Sequence, residues 1–180
     1  INVGQYNVIL SLKDNNNYEW SNGTIEDITL TYEIIQALNA WKTEPSLEDE
    51  WTYGEENAVA QLGEVLFGQI NVKYYQGQNI LNEMPQNAGE YKAIFTVLET
   101  ENYTGLTKEI FFTINKAIVA TPGAPNSKEY TGEWLTADVV ENELYEIENV
   151  GGQEVGNYTV VYTLKDSANY KWGDYKDGDQ

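Results

Sequence analysis

Residues 88–105 read AGEYKAIFTVLETENYTG, and this stretch decides the fold. Tyr91, Ala93, Phe95 and Val97 occupy alternate positions, with Lys92, Ile94 and Thr96 between them. A period of two sends successive side chains to opposite faces, so the run reads as a half-buried β-strand. It ends in a polar turn closed by Asn102-Tyr103. The same order occurs twice more. Gly4-Gln5-Tyr6 opens the alternation Tyr6, Val8, Leu10, Leu12 and leads to Asn17-Tyr18. Gly156-Asn157-Tyr158 opens Tyr158, Val160, Tyr162, Leu164 and leads to Asn169-Tyr170. Trp20 and Trp172 stand two residues beyond the outer turns. One pattern met three times is an internal repeat.

Each copy extends in both directions. Downstream of the first turn, Ile28, Leu30, Tyr32 and Ile34 alternate with Thr29, Thr31 and Glu33, the pattern of one buried and one wet face; Ile110, Phe112 and Ile114 are the counterpart in the middle copy. Upstream, Trp51-Thr52-Tyr53-Gly54 and Glu129-Tyr130-Thr131-Gly132 stand early in their copies, and Ile70, Val72 and Tyr74 alternate in the middle one. The third copy offers a weaker run in one of two registers, Leu144, Glu146, Glu148 or Tyr145, Ile147. Successive motif tyrosines (Tyr6, Tyr91, Tyr158) are 85 and then 67 residues apart. Units of that size suit an all-β sandwich of about seven short strands. The chain therefore divides into 1–36, the C-terminal strands of a first repeat; 37–117, a complete repeat; and 118–180, a third repeat lacking its last strand. The segment EIIQALNAWK, residues 33–42, carries helix formers. It occupies the place of Asn115-Lys116-Ala117, and Pro45 would cut a helix short, so it reads as strand end plus linker.

Composition sets limits on function. Apolar residues are 41% of the 180, with Tyr 14, Trp 5 and Phe 4 against one Met, a mixture that favours strands. Twenty-nine acids against ten basic residues, all Lys, give a net charge of -19. A phosphate backbone is held by Lys and Arg, so nucleic acid is excluded as a partner, and an anionic leaflet would be repelled too. Cysteine and histidine are absent, which removes thiol nucleophiles, Ser-His and Cys-His pairs and nearly all zinc chemistry. No apolar run is long enough to span a membrane, so membrane insertion is not expected.

The Gly-x-Tyr strand resembles the part of immunoglobulin domains where a tyrosine two positions before the second Cys forms the tyrosine corner. Val8, Ala93 and Val160 stand at the Cys position here, so the resemblance implies an apolar core in place of the inter-sheet disulfide. More specifically, AGEYKAIFTVLETENYTG followed by FFTINKA resembles bacterial Ig-like repeats of the MBG type. VGNYTVVYTLKDSANYKW and NAWKTEPSLEDEWTYG are similar to related repeats found in tandem in Gram-positive (Firmicute) cell-surface proteins. The resemblance implies tandem immunoglobulin-like β-sandwich repeats, incomplete at both ends of this chain, on a secreted protein at the cell wall or cell surface. It implies a non-catalytic spacer or stalk, or alternatively an adhesive module that binds a glycan or a host extracellular protein, with no cofactor.

Three groups of residues are candidates for more than architecture. Trp51 and Trp134 are the candidate ligand-binding residues, because sugar faces pack on flat rings; against this, a large aromatic recurring at one register is usually core. Acids such as Glu48-Asp49-Glu50 and Glu99 with Glu101 could supply a glycosidase pair, but none is singled out by its neighbours, and a solvated face is the ordinary reading. Asp174, Asp177 and Asp179, or Asp14 with Asn15 to Asn17, offer oxygen ligands to calcium without EF-hand spacing. No metal or catalytic site is therefore assigned. Lys116 and Asn115 are adjacent on one strand, which argues against a Lys-Asn isopeptide bond between them. The incomplete outer repeats expose sheet edges, so strand exchange is expected, with the Ile28 to Ile34 strand or the whole of segment 1–36 docking on the open third repeat within the chain or between chains.

Overall fold

The computed structural model describes residues 1–56 and 58–173, and all its regular structure is β; no helix occurs among these residues. In chain order the strands are β1 Gly4–Leu10, β2 Ile28–Ile34, β3 Trp41–Thr43, β4 Glu50–Thr52, β5 Glu64–Val65, β6 Ile70–Gln76, β7 Asn79–Leu81, β8 Gly89–Val97, β9 Leu106–Asn115, β10 Ala117–Val119, β11 Tyr145–Asn149, β12 Val160–Leu164 and β13 Tyr170–Trp172. They form a five-stranded sheet in the order β4-β9-β8-β6-β7 and four two-stranded ones. Two compact units gather residues distant in sequence. One comprises Ile1–Ser46, Gln61–Val72 and Ile94–Glu109; the other comprises Leu47–Ala60, Lys73–Ala93 and Ile110–Gln180.

In the first unit β1 and β2 pair antiparallel from Gly4↔Ile34 to Leu10↔Ile28. The alternation sets Tyr6 opposite Tyr32, their rings stacked at 5.6 Å. Their shared apolar face departs from the expectation of burial, since Val8, Leu10, Leu30 and Tyr32 are exposed. Of the corresponding positions of β8 and β9, Ala93, Phe95 and Phe112 are buried and Ile110 is half-buried. Burial therefore requires more strands than β1 and β2 supply. Segment 33–42 forms no helix: β2 ends at Ile34, Ala37 makes an isolated parallel bridge to Tyr103, and β3 pairs with β5. Buried Asn39 organises this stretch. Its Nδ2 donates to the Phe67 carbonyl at 2.9 Å, and its Oδ1 accepts the N–H groups of Ala40 and Phe67. The turn before β5 needs glycine at Gly63, whose φ is +72° and where a Cβ would lie 2.3 Å from the Thr43 carbonyl oxygen.

The second unit has an aromatic core. Trp51 stacks on Phe112 at 5.2 Å, Tyr91 on Phe112 at 5.5 Å, and Tyr74 meets the Phe112 edge at 6.4 Å. Burial raises the pKa of the Tyr74 and Tyr91 phenols. The third copy takes the Tyr145, Ile147 register: β11 pairs antiparallel with β12, Tyr145 is buried, and its ring meets Tyr162 and Trp172 at 5.5 Å. Of the two upstream segments expected to match, only Trp51-Thr52 becomes a strand; residues 129–132 stay irregular. The difference has a physical cause, because β4 is held in parallel pairing with Thr113 to Asn115 of β9 and by the Trp51–Phe112 stack. No strand follows β13 among the described residues to hold 129–132 in that way.

Candidate functional site

The motif tyrosines make the same bond in all three copies. Tyr6 donates its hydroxyl to the Asn2 carbonyl at 2.6 Å, Tyr91 to Asn87 at 2.9 Å, and Tyr158 to Glu154 at 2.8 Å, four residues back each time. This tether fixes the chain entering the strand. The Asn-Tyr turns are built alike in the outer copies. Asp14 accepts the Asn17 N–H at 3.2 Å and its Nδ2 at 2.8 Å, while Tyr18 N–H donates to the Asp14 carbonyl at 3.1 Å. Asp166 receives the same three bonds from Asn169 and Tyr170, at 3.2, 2.8 and 3.0 Å. The donated amides, that of Asn17 or Asn169 foremost, hold both carboxyls below their ordinary pKa. In the middle copy Glu99 stands at the aspartate's position, and the turn is closed instead from the next residue, Thr100 Oγ1 accepting Tyr103 N–H at 3.1 Å.

Corner and turn meet. Within the first unit, the corner of copy one sits on the turn of copy two: Val3 N–H donates to Asn102 Oδ1 at 2.9 Å, and Asn102 Nδ2 donates to Asn2 Oδ1 at 3.3 Å. The chain leaving β2 joins them, with Ala37 N–H donating to the Asn102 carbonyl at 2.9 Å and Gln36 Nε2 to the Thr100 carbonyl at 2.9 Å. Within the second unit, the corner of copy two sits on the turn of copy three through the same atoms. Ala88 N–H donates to Asn169 Oδ1 at 2.8 Å, and Asn169 Nδ2 to Asn87 Oδ1 at 3.2 Å. Ala117 N–H donates to the Asn169 carbonyl at 2.9 Å, and Lys116 Nζ to the Ser167 carbonyl at 2.6 Å. Ala37 bridges Tyr103 in parallel and Ala117 pairs with Tyr170 in parallel. The joint thus has one design made twice. Its centre is an asparagine that uses its carbonyl and amide ends together, leaving the partner backbone N–H satisfied.

The two candidate tryptophans part company. Trp51 is 6% exposed and lies in the aromatic core, where Phe112 covers its face, whereas Trp134 is 68% exposed. Near Trp134 in sequence, the third copy holds an open cleft of about 490 Å³, lined among others by Tyr130, Asn126, Gln153 and Tyr158. Gly152 lets the Tyr158 ring lie against the backbone, since a Cβ there would fall 2.0 Å from Tyr158 Cζ. No group of three or more acids that could hold a metal occurs among the described residues; Asp174, Asp177 and Asp179 lie outside them. Asn115 Nδ2 donates to Glu50 Oε1 at 2.5 Å while Lys116 reaches Ser167, so the two side chains serve different partners.

Comparison with protein-family models, curated proteins and solved structures finds no match.

Proposed function

We propose that this chain is a series of tandem immunoglobulin-like β-sandwich repeats serving as a non-catalytic spacer or stalk of a bacterial cell-surface protein. The observation that carries the reading is the joint made twice with equivalent atoms, at Asn102 and at Asn169. A connector between independent domains has no need of a specific bond set, whereas a load-transmitting series gains from one that recurs. The tyrosine tether in all three copies supports the immunoglobulin-like assignment. A net charge of -19 keeps such a series hydrated and disfavours nonspecific association. The extracellular setting rests on the family resemblance of the repeat motifs.

A second reading, an adhesive module for a glycan or host protein, is favoured by one feature, the third-copy cleft with exposed Tyr130 and, close in sequence, exposed Trp134. A glycan and extracellular-matrix array separates the two. Silence of the purified chain fits the spacer; a saturable hit abolished by Trp134→Ala replaces it with the adhesive reading.

A further inference from the structure

Asn22 is the one asparagine of the sequence that precedes a glycine, and it lies in the loop joining β1 to β2. The turn around it closes on itself. Gly23 N–H donates to the Trp20 carbonyl at 2.8 Å, Trp20 N–H to the Thr24 carbonyl at 2.8 Å, and Trp20 Nε1 to the Glu26 carbonyl at 2.7 Å. Asn22 Oδ1 accepts both the N–H of Thr24 at 3.1 Å and its hydroxyl at 2.9 Å. A backbone N–H can only donate, so the side-chain atom facing it is the oxygen. Ser21 to Ile25 are all exposed, which gives water access to the amide. Gly23 has φ +77°, and a Cβ added there would meet nothing within 4 Å, so neither a side chain nor packing resists the rotation that brings its nitrogen onto Asn22 Cγ. The Gly23–Trp20 bond opens first, and at an exposed turn water takes its place.

We infer that Asn22 is a site of self-modification, deamidating by attack of the Gly23 backbone nitrogen with Thr24 as the activating group. Hydroxide takes the Gly23 amide proton, and the nitrogen bonds to Asn22 Cγ. Negative charge develops on Oδ1, where the Thr24 N–H and hydroxyl already point, and donors aimed at developing charge lower the barrier. The Cγ–Nδ2 bond then breaks, and Nδ2 takes a proton from water and leaves as ammonia. Water opens the resulting cyclic imide at either carbonyl to give aspartate or isoaspartate, so one water is consumed and one ammonia released. Isoaspartate puts an extra carbon into the main chain between Trp20 and Thr24, which breaks the register of the turn's two backbone bonds. Either product adds an acid to a loop that already holds Glu19, Glu26 and Asp27. Asn102 and Asn169, whose Oδ1 atoms also face backbone N–H groups, precede tyrosines and are held in the joints. This chemistry needs neither the spacer nor the adhesive reading.

The test incubates the whole chain in mildly alkaline buffer, with and without denaturing urea, and locates each lost amide by peptide mass spectrometry. Wild type should lose the Asn22 amide before any other, and faster as pH rises. Thr24→Val, at an exposed position, keeps the N–H and loses the hydroxyl. It should slow the folded chain by about threefold to tenfold, the worth of one hydrogen bond, while Thr24→Ser keeps the wild-type rate. In urea, where the turn is gone, wild type and Thr24→Val should react alike. Circular dichroism establishes that each variant starts folded. First loss at another asparagine, such as exposed Asn126 before Ser127, overturns the inference, as does a folded Thr24→Val rate equal to or above wild type. A Thr24→Val deficit that persists in urea overturns it too, because the effect would then belong to the local sequence and not to the turn.

Discussion

Asn169 Oδ1 accepts the backbone N–H of Ala88 at 2.8 Å across 81 residues of sequence, and Asn102 Oδ1 accepts that of Val3 at 2.9 Å across 99. Asn169 is 7% exposed, so losing its side chain takes the acceptor from the half-buried Ala88 N–H and removes two donated bonds. We expect Asn169→Ala to cost about 2–3 kcal/mol, the penalty of an unsatisfied buried group plus lost bonds. Chemical denaturation measures the loss, and the Ala88 amide should exchange faster. Asn102→Ala should act alike on the Val3 amide with a smaller effect, because Asn102 is only half-buried.

Acid should loosen the turns. The Asn169 amide, donating to Asp166, holds that carboxyl below the ordinary 3.8, and Asn17 does so for Asp14. A carboxyl with a depressed pKa in the folded state binds protons more readily once unfolded, so stability rises with pH through this window. The contribution is fully present above the ordinary value and is lost as pH falls through the folded value. Carboxyl NMR titration should place Asp14 and Asp166 below the ordinary aspartate value of 3.8. Asn169→Ala should raise Asp166 toward the ordinary value, with the Asn169 and Ala168 backbone N–H groups and Lys116 still holding it down, while leaving Asp14 low.

The tyrosine tether can be weighed with a single atom removed. Tyr91→Phe deletes the hydroxyl that reaches the Asn87 carbonyl and keeps the ring stacked on Phe112. Its cost should be about 0.5–1.5 kcal/mol, the net worth of one such bond. Tyr6→Phe should cost less, because the Asn2 carbonyl is exposed and water replaces the hydroxyl. Equal losses at both sites would mean that the tether acts before the core forms around it. Urea denaturation of the two variants makes the comparison.

The strands were legible where one chain segment carries its own pattern. Tyr91 to Val97 alternates strictly and forms β8 with that face buried. Trp51-Thr52 and Tyr130-Thr131 look alike in sequence, yet only the first is a strand, because strand formation there depends on β9, sixty residues downstream in the middle copy and without a counterpart in the third among the described residues. The joint was half visible. Asn-Tyr recurs at every turn and Asn2 and Asn87 stand four residues before their tyrosines, a spacing that marks them as a set. What the sequence lacks is the pairing of one copy's corner with the next copy's turn, since nothing local distinguishes an asparagine that closes its own turn from one that also reaches across the chain.

The two tryptophans offer the sharpest contrast. Trp51 fills the space against Phe112, so Trp51→Ala opens a cavity in the second unit's core and should cost about 3–5 kcal/mol. Trp134 is mostly exposed, and Trp134→Ala should stay within about 0.5 kcal/mol of wild type. Fluorescence-monitored urea denaturation reads both, with far-UV circular dichroism confirming that each variant starts folded. A large loss from Trp134→Ala would mean that its indole is covered by chain in solution, and the adhesive reading would lose its exposed ring. If instead only Trp51→Ala destabilises, Trp134 can be replaced without disturbing the fold, and any binding it abolishes on the array belongs to the ring itself.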